Sequence, residues 1–201
     1  MLYVSGHGVP SAMVSVSASQ MLQPQTGSCL KKSKRDSPYY ELVKPSEVLE
    51  ILDREYPIER FEKYFTIIYL ILDMRNGNLK YCNAAHPYPV VMHKDGTLEV
   101  LREGGTIIGM GNILPFDDGE RQFLPGDKLF IYTDGIIEYQ DKNGAFYGKD
   151  RFYEELHKLK DEPIPSIIDG IMDSMMVFGD NIEPQDDISL LGLEFKGKKA
   201  D

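Results

Sequence analysis

The chain has 201 residues, a formal net charge of -10 and 42% hydrophobic residues. It is long enough to bury a sizeable core, so we predict a single domain over residues 1–195 followed by a polar tail, 196–201. The negative charge repels phosphate backbones and anionic lipids, which argues against nucleic-acid and membrane partners. Without a bilayer-spanning apolar run or a signal peptide, a cytoplasmic protein is expected.

The N-terminal segment MLYVSGHGVPSAM predicts a short strand, a glycine turn and a helix. Pro10 suits the first turn of that helix, and the small and apolar residues after it predict a helix packed inside the fold. The stretch QPQTGSCLKKSKRDSPYY predicts an exposed loop, whose basic run is either solvated or binds an acidic partner. KPSEVLEILDREY then predicts a short amphipathic helix with Ser46 as its N-cap.

Beyond this helix the periodicity becomes that of strands. YFTIIYLILDMRNGNLKYCNAA and PYPVVMHKDGTLEVLR each predict a hairpin, with turns at Asn-Gly and Asp-Gly. KLFIYT predicts a strand ending on Asp134-Gly135, two helical segments follow, and DDISLLGLEF closes the chain with a strand. Because strands run together rather than alternating with helices, the sequence predicts an α+β fold. Cys29 and Cys82 have no ligand spacing and are expected to be ordinary thiols.

Three segments place small or acidic residues where an apolar strand ends or begins: VSGHG, YTDG and QDDIS. Carboxylates at strand ends suit Mg²⁺ or Mn²⁺, which prefer oxygen ligands. The alternative is that Asp134-Gly135 and Asp186-Asp187 are ordinary turns, because Asp and Gly are favoured there. Taken together, the three segments favour a metal site.

In this combination the chain resembles the SpoIIE/RsbU-like bacterial branch of the PPM (2C-type) metal-dependent protein serine/threonine phosphatases. VSGHGVPSAM is similar to the family's Asp-Val-Ser-Gly-His-Gly segment, and FTIIYLILDMRNGNLKYCNAAHPYPVVM to its Phe-x-Thr strand and Asn-Ala-Gly-His-Pro stretch. LPGDKLFIYTDG and DDISLLGL match its Pro-Gly-Asp, Tyr-Thr-Asp-Gly and closing Asp-Asp patterns. The resemblance implies an α-β-β-α sandwich of two antiparallel sheets flanked by helices.

The resemblance also implies a site chemistry, hydrolysis of phosphoserine or phosphothreonine by a water that two Mn²⁺ or Mg²⁺ ions activate. It implies that Asp134, Asp186 and the backbone carbonyl of Val4 are metal ligands. Asp187 is then expected to orient a ligand or a metal-bound water.

The glycine turn is implied to border the same site. Ser5 is the position nearest the metals, and Gly6 and Gly8 let the backbone approach and turn. His7 is either a general acid for the leaving oxygen or, as we expect, a packing or loop-capping residue. His86, in the Asn-Ala-Ala-His-Pro turn, is expected to be structural.

The chain departs from the family pattern in three places. Tyr3 stands where the family has an aspartate that bridges both metals, and a phenol with a pKa near 10 does not replace a carboxylate. A Gly-Gly-Asp-x-x-x-Asp segment found upstream in the family has no counterpart here, so we expect a domain that lacks its first strands. Ala85 replaces a residue that is usually Gly.

These observations leave competing functions. The leading hypothesis is a phosphatase domain acting on a phosphorylated regulatory protein, of anti-anti-sigma type, behind an upstream sensor or receiver domain. The alternative is a catalytically impaired binding or regulatory module, because Tyr3 replaces the bridging aspartate. A nucleotide-binding protein is a weaker third, since SGHG lacks the Lys-Ser/Thr of a P-loop.

Overall fold

The computed structural model describes residues 1–23, 30–33, 40–111 and 113–197. The chain divides into two compact units, each made of separate segments. Unit 1 contains Met1–Leu72, Leu79–His86 and Arg102–Arg121; unit 2 contains Asp73–Asn78, Pro87–Leu101 and Gln122–Asp201. The single-domain boundary at residue 195 stays a prediction.

The strands in chain order are β1 (Leu2–Val4), β2 (Lys31–Ser33), β3 (Tyr40–Leu42), β4 (Phe65–Leu72), β5 (Asn78–Ala84), β6 (Val90–Met92), β7 (Leu98–Val100), β8 (Gly104–Gly105), β9 (Gly119–Gln122), β10 (Lys128–Tyr132) and β11 (Leu190–Glu194). The helices are α1 (Val9–Met21), α2 (Pro45–Glu55), α3 (Ile58–Phe61), α4 (Asp134–Ile137), α5 (Gly148–Lys158) and α6 (Ile164–Phe178). Within the described residues, no helix has both the length and the apolar character needed to cross a membrane.

Unit 1 is built on a sheet with the strand order β1-β4-β5-β8, and β9 also pairs with β5. The β4–β5 hairpin is antiparallel, whereas β8 runs parallel to β5. Strand periodicity sends alternate β4 residues, Phe65 and Ile67, into a core that also contains Val48, Leu49 and Leu52 of α2. The predicted apolar face of α2 is therefore confirmed.

Unit 2 contains an antiparallel sheet with the order β11-β10-β6-β7. Phe130 and Tyr132 of β10 are buried with Phe152 of α5 and Ile171 and Met175 of α6. Because β10 pairs with β11, the end of β10 lies beside the start of β11 although more than fifty residues separate them. The α+β class and both predicted hairpins are confirmed, with the parallel β5–β8 pair as an addition.

Helix α1 does not lie inside the fold, so that prediction is wrong. Only Ser11, Val14 and Ala18 are buried along it, while Val9 and Met13 are 72% and 67% exposed. The apolar residues of this segment surround the helix, and the sequence therefore could not indicate which side packs.

Two smaller predictions also need correction. Ser46 is not the N-cap of α2, since Lys44 occupies that position; Ser46 instead donates from N and Oγ to Asp118, at 2.7 and 2.8 Å. The predicted loop contains the β2–β3 pair. Lys34 and Arg35 of its basic run, and Cys29, lie outside the described residues.

Candidate functional site in unit 2 and the glycine turn of unit 1

Thr133 joins the end of β10 to the segment that precedes β11. Its side chain is buried, its Oγ1 donates to the backbone oxygen of Asp187 at 2.9 Å, and Ser189 N donates back to Oγ1 at 2.9 Å. The backbone N of Thr133 donates to Ser189 O at 3.0 Å. One hydroxyl thus holds the 187–189 backbone against the first turn of α4.

Gly135 allows that close approach. A Cβ at this position would lie 2.6 Å from the backbone oxygen of Asp187 and 3.2 Å from its carbonyl carbon, which is closer than packed atoms tolerate. The Tyr-Thr-Asp-Gly motif therefore has a local explanation. Thr133 ties the segment, Gly135 makes room for it, and Asp134 lies between them at the start of α4.

The predicted carboxylates of unit 2 are consequently gathered around one turn. Asp134 is half-buried, whereas Asp186 and Asp187 are exposed. Asp187 N donates to Asp186 Oδ1 at 2.7 Å, which orients the Asp186 carboxylate next to its own backbone. Asp186 and Gly135 both line a pocket of about 280 Å³.

In unit 1, the glycine turn follows β1 directly. Ser5 N donates to Tyr64 O at 2.9 Å, and Tyr64 N donates to Ser5 Oγ at 3.1 Å, so the Ser5 side chain extends the β1–β4 pairing. Ser11 Oγ donates to Ser5 O at 2.9 Å. Gly6 and Gly8 have φ values of 75° and 86°, in the left-handed region that favours glycine.

The carbonyl of Val4 is directed away from β4. Hydrogen-bonded and non-hydrogen-bonded positions alternate along an antiparallel pair, and Ser5 is a bonded position. Val4, which is paired with Phe65, is therefore a non-bonded one. His7 is exposed beyond the turn. Roles for Val4, Ser5 and His7 at a metal site stay predictions.

Tyr3 is paired with Thr66 across β1 and β4. Thr66 Oγ1 lies 3.2 Å from Nδ1 of His86, and the two share a hydrogen bond. Asn83 brackets the His86 backbone, accepting from His86 N at 2.8 Å and donating to His86 O at 2.9 Å. These contacts agree with the structural role expected for His86.

The imidazole of His86 is buried, and burial lowers its pKa to about 4. Its Nε2 has no hydrogen-bond partner within the described residues. Ala85, immediately before it, has a φ of 53°. This is why glycine is the better residue at that turn, since a Cβ is strained in the left-handed region.

The resemblance implies a cluster of carboxylates that binds two metal ions. Across the described parts of the chain, no three His, Cys, Asp or Glu side chains converge to hold a metal ion. The carboxylates around α4 are a partial set, and the resemblance implies a further, bridging carboxylate at the position of Tyr3. The described residues therefore do not fit a complete two-metal site.

Comparison with known proteins places the chain in a family. The family model of Stage II sporulation protein E (SpoIIE) matches residues 3–196. The chain belongs to the SpoIIE family. The phosphoserine phosphatase RsbP of Bacillus subtilis is 27% identical over 179 residues. That match covers 87% of this SpoIIE-family chain but 40% of RsbP.

Solved structures agree on the fold of this SpoIIE-family chain. The RsbU and RsbW domains of Rv1364c from Mycobacterium tuberculosis match 98% of it with a TM-score of 0.74 and 21% identity, over 51% of that structure. The SiaA-PP2C domain of Pseudomonas aeruginosa matches 96% with a TM-score of 0.72 and 19% identity, over 74% of that structure. The expected PP2C-type fold is confirmed.

Sequence reasoning missed two parts of the candidate site of this SpoIIE-family chain. It treated Thr133 as part of a motif without a role, although a Thr directly before Asp-Gly at a strand end is a local signal for a backbone tie. It also missed the pocket beside Asp186. The pocket combines residues from three segments, and no short pattern contains them.

Proposed function

We propose that this chain is a protein serine/threonine phosphatase domain that hydrolyses phosphoserine or phosphothreonine on a regulatory protein. Membership of the SpoIIE family over residues 3–196 is the observation that carries the proposal. The name of the relative RsbP, a phosphoserine phosphatase matched over 87% of this chain, supports it. The anti-anti-sigma type of substrate, an upstream sensor or receiver domain and a cytoplasmic location belong to the same proposal.

The proposal includes a divalent ion, Mn²⁺ or Mg²⁺, which would supply an activated water when bound. Asp134 and Asp186 are the side chains we assign to ion binding, because Thr133 and Gly135 hold their two segments together. Asp187 positions Asp186 through its backbone N–H. Since the described donor set is partial, no catalytic step is assigned to the ion in this chain.

One specific observation favours a second function. Tyr3 occupies the position that the resemblance assigns to a bridging aspartate, and a neutral phenol offers one weak donor to a cation where a carboxylate offers two charged oxygens. A SpoIIE-family module that keeps its fold and binds a phosphoprotein without turnover is the alternative.

Hydrolysis of a phosphoserine peptide, followed by phosphate release with and without Mn²⁺, separates the two functions. The phosphatase proposal expects Mn²⁺-dependent release that Asp134→Asn abolishes and that Asp169→Asn, an exposed change on α6, leaves intact. Full release by Asp134→Asn would exclude that residue from the site. Peptide binding without release would favour the binding module.

Calorimetric titration with Mn²⁺ tests the position of Tyr3 directly. We expect weak binding by the chain and tighter binding by Tyr3→Asp, because the substitution adds a carboxylate, while Tyr3→Phe changes nothing. Tight binding of two ions by the unmodified chain would show that the cluster is built from other carboxylates.

A further inference from the structure

The pocket beside Asp186 has a distinct chemical lining. Two carboxylates, two amides, one exposed aromatic ring and a buried tyrosine surround it: Gly135, Glu138, Tyr139, Gln140, Phe146, Gln185 and Asp186. No Lys, Arg or His is among these residues. Its volume of about 280 Å³ is near the lower end of the roughly 300–1,000 Å³ found for ligand pockets. The pocket has room for a single side chain.

One wall of the pocket is a hairpin over residues 139–147. Gln140 and Phe146 form an isolated antiparallel bridge, and Tyr147 N donates to Tyr139 O at 2.8 Å. Phe146 lies on this hairpin, and the residue is 54% exposed. An aromatic ring that remains exposed on a paired backbone is available for contact with a ligand.

The hairpin is also secured by side chains. Asp141 Oδ1 accepts from Asn143 N at 2.8 Å and from Ala145 N at 2.9 Å, which closes the turn. Arg151 of α5 donates to Tyr147 O at 2.8 Å. The hairpin that carries Phe146 is consequently tied to α5 in the absence of a ligand.

We propose that this pocket binds an arginine side chain of the protein substrate, close in sequence to the phosphorylated residue. A guanidinium stacks on an aromatic face and pairs with carboxylates in a planar fork. Phe146 supplies the face and Glu138 the carboxylate. Glu138 forms no ion pair within the described residues, so its charge is available to a cation.

This inference rests on the proposed phosphatase function, because the arginine is assigned to a phosphorylated protein substrate. Asp186 links the two proposals, since it belongs to both the pocket and the assigned ion-binding segment. A substrate chain whose phosphoryl group lies at Asp134 and Asp186 would place a neighbouring side chain in the pocket. The pocket would then select phosphorylation sites with a nearby arginine over neutral or acidic ones.

Amide NMR of the intact chain, without metal or phosphate, tests the pocket separately from catalysis. The probe is N-acetyl-arginine methylamide, compared with the uncharged isostere N-acetyl-citrulline methylamide. We expect arginine-specific shifts at Gly135, Gln140 and Gln185. Glu138→Gln and Phe146→Ala should each weaken binding by about fivefold, while Glu154→Gln, an exposed change of the same charge on α5, should not.

Equal shifts from the citrulline probe, or shifts elsewhere on the chain, would overturn the arginine assignment. Fluorescence anisotropy with phosphoserine peptides carrying one arginine or one citrulline at successive positions tests the link to substrate. Tighter binding for arginine at one or two positions, lost in Glu138→Gln, supports it. A pocket that binds the arginine probe while every peptide pair binds equally would refute the substrate role and leave the phosphatase proposal standing.

Discussion

Replacing Thr133 with Val should loosen the junction between β10 and the segment before β11. The two side chains have the same shape, so the change removes a hydroxyl without creating a cavity. It deletes the donation to Asp187 O at 2.9 Å and the acceptance from Ser189 N at 2.9 Å. Each such hydrogen bond contributes about 0.5–1.5 kcal/mol net. The expected loss in the free energy of unfolding is therefore about 1–3 kcal/mol.

The solvent exposure of the two hydrogen-bond partners of Thr133 decides where the loss of unfolding free energy lies between about 1 and 3 kcal/mol. Asp187 and Ser189 are exposed, so water can reach their backbone groups when the hydroxyl is gone. We expect a value near 2 kcal/mol, equivalent to a fall in Tm of about 4–8 °C for a chain of this size. Thr133→Ser is the matched control, because it keeps the hydroxyl and should retain both hydrogen bonds.

Urea unfolding followed by circular dichroism and tyrosine fluorescence provides the measurement, since the chain contains no Trp. The Thr133→Val variant should be clearly less stable than the Thr133→Ser variant. A Val variant within about 0.5 kcal/mol of the parent, a change typical of surface substitutions, would refute the role given to the Thr133 hydroxyl. Equal destabilisation by Ser and Val would assign the loss to packing instead.

Three further predictions follow from unit 1. Ala85→Gly should raise the free energy of unfolding by about 0.5–1 kcal/mol because the residue has a φ of 53°, whereas Ala84→Gly in β5 should lower it; a loss in both would contradict the strain argument. His86 should stay neutral at pH 5, since burial lowers its pKa to about 4 from 6.5. The contribution of neutral His86 to the free energy of unfolding is fully present above pH 6.5 and is lost as the pH falls toward 4. An imidazole NMR titration with a midpoint near 6.5 would exclude the lowered pKa. Asp53→Asn should lower the free energy of unfolding, measured in urea, by about 2 kcal/mol. The reason is that the buried carboxylate accepts from the N–H groups of Gly109 and Met110 at 2.6 and 2.9 Å. An unchanged free energy of unfolding would mean that the Asn amide fully replaces the carboxylate.

Local sequence signals predicted most of the elements because the physics behind them is local. The Asn-Gly signal located the turn between β4 and β5, and apolar spacing located the buried face of α2. Where the local signal was ambiguous, the prediction failed. The apolar residues of α1 surround the helix, and Ser46 had a competing long-range partner in Asp118.

The candidate site likewise has a part that the sequence predicts and a part that it does not. The types of its carboxylates and their placement at strand ends are readable from the sequence, because Asp and Gly next to an apolar run are a short-range pattern. The resemblance to the SpoIIE family also depends only on the order of such patterns. Whether Ser5, Val4 or His7 acts at a metal site is still a prediction.

The amino-acid sequence by itself determined the α+β class, the family, and the presence of Tyr3 where a carboxylate is expected. Only the tertiary structure decided that Thr133 and Gly135 hold Asp187 against α4, because the residues concerned are more than fifty positions apart. It also decided that Phe146 and Glu138 border a pocket with Asp186. The physical reason is that strand pairing and helix packing, which have no short-range code, bring distant segments within van der Waals distance.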